Sequence, residues 1–294
     1  MNRFNTLLLV AGICCQACKS SPAQTAQPVL QDDRLDETSG IAASIAHPGV
    51  YYVHNDSGDS SRFFAIGPDG SLKGLFYYNG DRSLSKYGVT DCEDIAVSSG
   101  PAAGSSYVYV GDIGDNNAIR KYIAVYRMKE PALPAAGAFS NVTAEQLVLK
   151  YPDGARDAET LMADPIDKLL YIVSKREDSV RVYSTPLNFT AGDTVLLTKR
   201  ATLYFDGVGQ AKWITAGDIA QSGQQVLLKS YTKVYYWKRS SNAEPVWQTL
   251  QRSPAILPYT QEVQGEAIGF NTDGTGYYTV GEGTHVPIYY YKVP

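Results

Sequence analysis

The chain has 294 residues, 44% of them hydrophobic and 19% charged, a balance that excludes a disordered chain and belongs to a folded globular protein. Its 26 basic and 30 acidic side chains give a formal net charge of −4 with no basic run, which excludes nucleic acid as a partner. Only three histidines occur, His47, His54 and His285, without an HxH or HxxxH pair, which argues against zinc; no GxSxG elbow supports a serine hydrolase.

Residues 1–17 place Arg3 ahead of an apolar run, Leu7 to Ile13, and then small residues, the layout of a secretory signal. The run is too short to span a bilayer. Ala17-Cys18-Lys19-Ser20-Ser21 resembles a bacterial lipobox, with Cys15 where Leu is usual. Cys18 is therefore expected to carry a lipid, and residues 18–28 to form a flexible tether. The implied location is extracytoplasmic, on a membrane through the anchor alone, with a secreted or periplasmic protein as the alternative. Cys92 would then be the only thiol of the folded part, which leaves no internal disulfide.

Residues 29–294 suit one large all-β domain. Short strands rich in Tyr, Val, Ile and Leu alternate with Gly/Asp/Asn/Ser/Pro turns, and no helical periodicity is sustained. An acidic phrase followed by an aliphatic residue recurs five times, at Ile41, Ile95, Leu161, Ile219 and Ile268, spaced by roughly 50 to 65 residues, the period of a propeller blade. Each copy continues with a second and third strand. A fourth is expected at Leu72 to Tyr77, Gln146 to Tyr151, Ala201 to Phe205 and Val246 to Gln251. The fifth copy has none before Pro294, so Gln27 to Gln31 is expected to complete it. The reading is a five-bladed β-propeller closed by the N-terminal strand. Six blades is the alternative, because Pro131 to Tyr151 is long enough to hide further strands.

In an antiparallel blade the start of the first strand and the end of the second share one sheet edge. The acidic phrases and the polar second-strand ends should therefore meet at one mouth of the central channel. Aligning the copies on their aliphatic residues puts Ser39, Glu93, Glu159, Gly217 and Glu266 in one column, with Glu37, Asp91, Asp157, Thr215 and Gln264 two residues before. The second-strand ends add His54, Asn55, Asp56, Asp112, Lys175, Arg176, Lys229 and Glu282, and the fourth phrase adds Asp218.

Two carboxylates about 5 Å apart repel by roughly 3 kcal/mol at an effective dielectric near 20, so several cannot stand together as free anions. Three answers compete. The carboxylates are satisfied by backbone N–H groups and by Lys175, Arg176 and Lys229; or Glu93, Glu159 and Glu266 bind a hard cation, Ca²⁺ above others; or one carboxylate holds a proton for acid–base catalysis. Gly111-Asp112-Ile113-Gly114-Asp115-Asn116 is superficially like a calcium loop but lacks the terminal Glu of an EF-hand. The 22 tyrosines fall mostly at alternating strand positions, as blade packing requires.

Taken together, His54-Asn55-Asp56-Ser57-Gly58, Asp91-Cys92-Glu93-Asp94-Ile95-Ala96, Tyr109-Val110-Gly111-Asp112 with Ile113-Gly114-Asp115-Asn116, Asp157-Ala158-Glu159 and Gln264-Gly265-Glu266-Ala267-Ile268 resemble a family of bacterial secreted or lipid-anchored propeller proteins. The resemblance implies architecture and location, and no particular activity. More distantly the plan is similar to calcium-dependent propeller lactonases and esterase-like phytases, but a ligand set of matching spacing is missing, so no catalytic residue is carried over. The sequence thus points to a monomeric binding module for a small polar ligand or an extracytoplasmic protein, with a metal-dependent phosphoesterase or lactonase as the alternative.

Overall fold

β-Branched and aromatic residues at alternating positions fit a pleated surface, and among the described residues they build 21 short strands in five sheets. The computed structural model describes residues 27–135 and 137–294. The expected signal, the Cys18 lipidation site and the tether as far as residue 26 lie outside the described residues. Blade 1 contains β1 (Thr38–Ala43), β2 (Tyr51–Asn55), β3 (Arg62–Ile66) and β4 (Leu72–Tyr78). Blade 2 contains β5 (Cys92–Ser99), β6 (Ser106–Asp112) and β7 (Ile123–Lys129), then an excursion with β8 (Phe139–Val142), and β9 (Glu145–Lys150). Blade 3 has β10 (Ala158–Asp164), β11 (Leu169–Ser174) and β12 (Val180–Pro186), an excursion with β13 (Thr194–Leu196), and β14 (Thr198–Leu203). Blade 4 has β15 (Ile214–Ile219), β16 (Gln225–Ser230) and β17 (Val234–Lys238), the one-turn helix α1 (Val246–Thr249), and β18 (Ala255–Leu257). Blade 5 has β19 (Gly265–Phe270), β20 (Gly276–Gly281) and β21 (Ile288–Lys292).

The sheets are antiparallel meanders arranged in a ring, with β1, β5, β10, β15 and β19 innermost and packed each against the next. This is a five-bladed β-propeller. The described residues from Pro131 to Tyr151 form no sixth blade: β8 leaves blade 2 and pairs in parallel with the outer edge of β4, covering the edge of blade 1. β13 does the same for β9 of blade 2. The fourth strand of blade 4 is β18, not Val246 to Gln251, because Pro245 opens a helical turn there instead.

Closure by the N-terminal segment is shorter than a whole strand. Val29 bridges Pro287, Leu30 N–H donates to Val286 O at 3.1 Å, and Ile288 N–H donates to Pro28 O at 2.8 Å. Pro28, expected in the tether, is thus part of the fold.

The described residues form no single core. Five apolar clusters each fill one gap between neighbouring blades, with Val110 and Tyr126 between blades 1 and 2, and Leu30, Ile41 and Ala267 between blades 5 and 1. This arrangement leaves the ring axis to polar side chains.

Candidate functional site at the channel mouth

Every innermost strand carries a β-bulge at its start. The pairing register skips Ser39, Glu93, Glu159, Thr215 and Glu266, one residue in each blade. A bulge re-aims the extra side chain, and five bulges at the same height form a ring. The fourth member is Thr215, not Gly217 as the alignment on Ile219 suggests. Asp218-Ile219 imitates Asp94-Ile95 in sequence while standing two residues further into the channel. The two hydroxyls of the ring act as fasteners between blades: Ser39 Oγ donates to Glu93 O at 2.8 Å and Thr215 Oγ1 to Gly265 O at 3.1 Å. The three glutamates are buried.

Around them, ligand-capable oxygens lie within 4.8 Å of one another in three overlapping groups: Asp56 with Asp91 and Glu93, Asp56 with Glu266 and Glu282, and Glu93 with Asp157 and Glu159. Asp56 and Glu93 each belong to two groups, so the cluster is continuous. Gly114 explains the glycine of the Gly111–Asn116 motif. Its N–H donates to Asp91 O at 3.1 Å, and a Cβ there would collide with the Glu93 and Asp91 carboxylates.

Two cations answer part of this charge. Lys175, buried, binds Glu159 and stands 3.4 Å from Glu266, while Arg176 binds Asp157. Tyr231 donates its phenol to Glu266, and the Arg176 guanidinium lies 4.5 Å over the Trp213 ring. Asp56, Asp91, Glu93 and Glu282 have no ion pair among the described residues. Glu159 Oε2 is buried and has no hydrogen-bond partner among the described residues.

The titration of the cluster follows from this imbalance. Burial, then the neighbouring Asp91, lifts the Asp56 carboxyl to about 7. Burial raises Asp91 to about 6 against the pull of Arg120. Glu93 is pushed well above the usual carboxylate range by burial and by Asp56 and Asp91. Glu282 rises to about 8 through burial and through the facing Glu266. Burial also opposes ionisation of Glu266, but Lys175, Glu282 and Tyr231 outweigh it and hold that carboxyl below its ordinary value.

Several expected site residues belong elsewhere. Glu37 is exposed and outside the ring, and only its carbonyl takes part, accepting from Asp56 N–H at 2.8 Å. His54 turns inward: its Nδ1 donates to Asn55 O at 2.8 Å, and burial drops its pKa to about 4, so it is a neutral strand-end histidine. Asn55 Nδ2 donates to Arg34 O at 2.6 Å and fastens the entering chain. Asp112 takes the N–H groups of Thr90 and Asp91, each at 3.0 Å, and pairs with Arg120 at 2.8 Å, as a strut behind the ring. Lys229, fully buried, donates to Gly265 O, stands 3.7 Å from Glu262 and lies 4.8 Å from the Tyr259 ring centre, between blades 4 and 5. Burial lowers its pKa to about 8 despite Glu262.

Asp218 is not at the mouth. It accepts N–H bonds from Ile219 and from Phe270 of blade 5, both at 2.8 Å, as Asp94 accepts from Ile95 at 2.8 Å and from Leu161 of blade 3 at 2.9 Å. The two aspartates brace neighbouring blades. Cys92 is free and buried, and burial raises its thiol pKa, which makes it unreactive.

No family model matches the chain, and no curated protein matches it in sequence. Among solved structures, the β-propeller domain of Myceliophteria thermophila Cps50 (Swd1) is similar, with a TM-score of 0.42 and 11% identity over 87% of this chain and 84% of that one. A channel-mouth site on a propeller suits a binding module. Among the described residues, the groups there that could ligate a cation are all carboxylates.

Proposed function

We propose that the protein is an extracytoplasmic binding module whose channel mouth holds a hard divalent cation, Ca²⁺ above others, and through it a small polar ligand or a segment of a partner. The observation that carries this reading is the crowding of carboxyls: among the described residues Asp56, Asp91, Glu93 and Glu282 form no ion pair, and the buried Glu159 Oε2 has no hydrogen-bond partner. Asp56, Asp91 and Glu93 would hold the ion on one side, Glu266 and Glu282 on the other. Calcium's need for six to eight oxygens at about 2.3–2.6 Å is met more easily by shared, flexible carboxylates than magnesium's strict octahedron. Location outside the cytoplasm, with a lipid on Cys18, is supported by the signal-like residues 1–17 and the lipobox-like Ala17-Cys18.

A second reading has one observation in its favour. Asp56 and Asp91, held to about 7 and about 6, are poised to accept a proton near neutrality, as a metal-dependent hydrolase of phosphate esters or lactones would need.

The deciding experiment is calorimetric titration of the chelator-stripped protein with Ca²⁺ and Mg²⁺, beside the triple variant Glu93→Gln, Glu159→Gln, Glu266→Gln. Saturable Ca²⁺ binding that the variant loses supports the cation reading. Indifference of the wild type to calcium removes it, and the metal-dependent hydrolase with it.

A further inference from the structure

On the mouth face between blades 2 and 3, cavities of about 520 and 270 Å³ share Ala155 as a wall and form one groove. Its inner end reaches Asp157 and Arg176 at the acidic ring, and its outer end opens beside Ile119 and Tyr122. Five basic side chains line it, Arg120, Lys121, Lys150, Arg156 and Arg176, against the acidic Asp157 and Glu177. Such a basic lining is unexpected on a chain with a formal net charge of −4.

The arginines are engaged, Arg176 by Asp157, Arg156 by Glu177 and Arg120 by Asp112. Lys121 and Lys150 are exposed and in no ion pair among the described residues, so the uncompensated positive charge sits at the outer half. Beside them Ile119 is 76% and Tyr122 48% exposed. The wall that carries Ile119 is fixed in advance. Arg120 N–H donates to Asp115 Oδ2 at 2.7 Å, Asp115 N–H donates to Asp157 Oδ1 at 2.9 Å, and Ala118 holds a left-handed backbone at φ 51°. A preformed wall lowers the ordering cost of binding.

We propose that this groove binds an extended acidic peptide segment of a partner protein, with its carboxylates on Lys121 and Lys150 and an apolar side chain against Ile119 and Tyr122. The charge gradient sets the direction of entry. Anionic residues are favoured at the outer half and repelled by the carboxylate ring at the inner end. An aliphatic contact such as Ile119 suits a peptide side chain better than a sugar ring. The groove meets the carboxylate cluster at Asp157, but the contacts proposed for the peptide lie at its outer half and need no ion at the ring.

The test is fluorescence anisotropy of a labelled short peptide of alternating Glu and Leu, with the Gln/Leu peptide as control, on the full protein in chelator, so that the cation reading plays no part. The Glu peptide should bind about tenfold tighter than the Gln peptide, an advantage that added salt erodes. The double variant Lys121→Glu/Lys150→Glu should lose that preference with an unchanged melting temperature, because both side chains are solvated. Equal binding of the two peptides, or a preference that survives in the double variant, overturns the proposal. Tighter binding of an oligogalacturonate than of the Glu peptide overturns the peptide as occupant.

Discussion

Lys175 of blade 3 reaches across the channel mouth to Glu266 of blade 5, Nζ to Oε1 at 3.4 Å, while its main partner is Glu159 at its own blade's bulge. One ammonium therefore holds together two bulges that are not neighbours in the ring. Replacing Lys175 by Met leaves two buried carboxylates without a cation, a change that typically costs about 3 to 5 kcal/mol. The expected result is a strongly destabilised protein in chelator that calcium restores in large part, read from urea unfolding with and without the ion. Equal loss in both conditions would mean that Lys175 acts through packing alone.

The pH dependence follows from the direction of the shifts. Asp56, Asp91 and Glu282 hold folded-state values of about 7, 6 and 8, above the ordinary carboxylate value near 4 that the unfolded chain has. The folded protein therefore binds more protons than the unfolded one between these limits, and stability falls as pH rises. These groups contribute fully below about pH 4, and their contribution is lost as pH climbs through the range 6 to 8. The melting temperature in chelator should be lower at pH 8.5 than at pH 6, and saturating calcium should flatten or invert that slope. A thermal melt series across this range checks both.

Much of the ring was legible because strand periodicity and the aliphatic anchors fix register: Glu93, Glu159 and Glu266 were found two residues before Ile95, Leu161 and Ile268, where the bulges place them. Thr215 was placed in the column two residues before the ring instead of in it, because a bulge is set by backbone pairing and Asp218-Ile219 offered a false anchor. His54, Lys229 and Asp112 sit at the right sheet edge yet point away from the opening, and orientation at a strand end is decided by the bonding partner: Asn55 O for His54, the Thr90 and Asp91 N–H groups for Asp112, and Gly265 O of the next blade for Lys229. The pairing of the edge-covering strands β8 and β13 was hidden for a related reason, although the length of Pro131 to Tyr151 left room for a strand such as β8. They pair in parallel with a different blade, and no local pattern announces such a partner. Asp94 stood unremarked inside the phrase that carries Glu93, although an aspartate directly before the anchor is well placed to cap the next strand's N–H.

Trp213 should report on the mouth. The Arg176 guanidinium covers its ring at 4.5 Å, and the Lys175 ammonium lies 5.9 Å from it. An ion that takes over Glu159 and Glu266 from Lys175 changes the charge beside the indole. Calcium should thus change tryptophan emission, and Trp213→Phe should abolish the change. Trp237 and Trp247, outside the ring, should contribute nothing; a response that persists in Trp213→Phe places the ion elsewhere.

Asp94 and Asp218 separate bracing from binding. Each takes one N–H from its own strand and one from the next blade, so removing the carboxylate leaves two buried donors unpaired. At roughly 1 to 3 kcal/mol for each of the two donors left without a partner, Asp94→Ala should cost about 2 to 6 kcal/mol. Asp94 is completely buried, and burial holds its carboxyl well above the ordinary range. Part of the loss should therefore be recovered at high pH, where the wild type has to ionise the group in place and the variant does not. Calcium affinity should stay at the wild-type value in Asp94→Ala, since neither bonded N–H lies at the mouth. Denaturant unfolding paired with calcium titration reads both quantities on the same protein. If affinity falls together with stability, the braces and the ring are one mechanical unit, and the bulges hold their carboxylates only while blades 2 and 3, and blades 4 and 5, are tied.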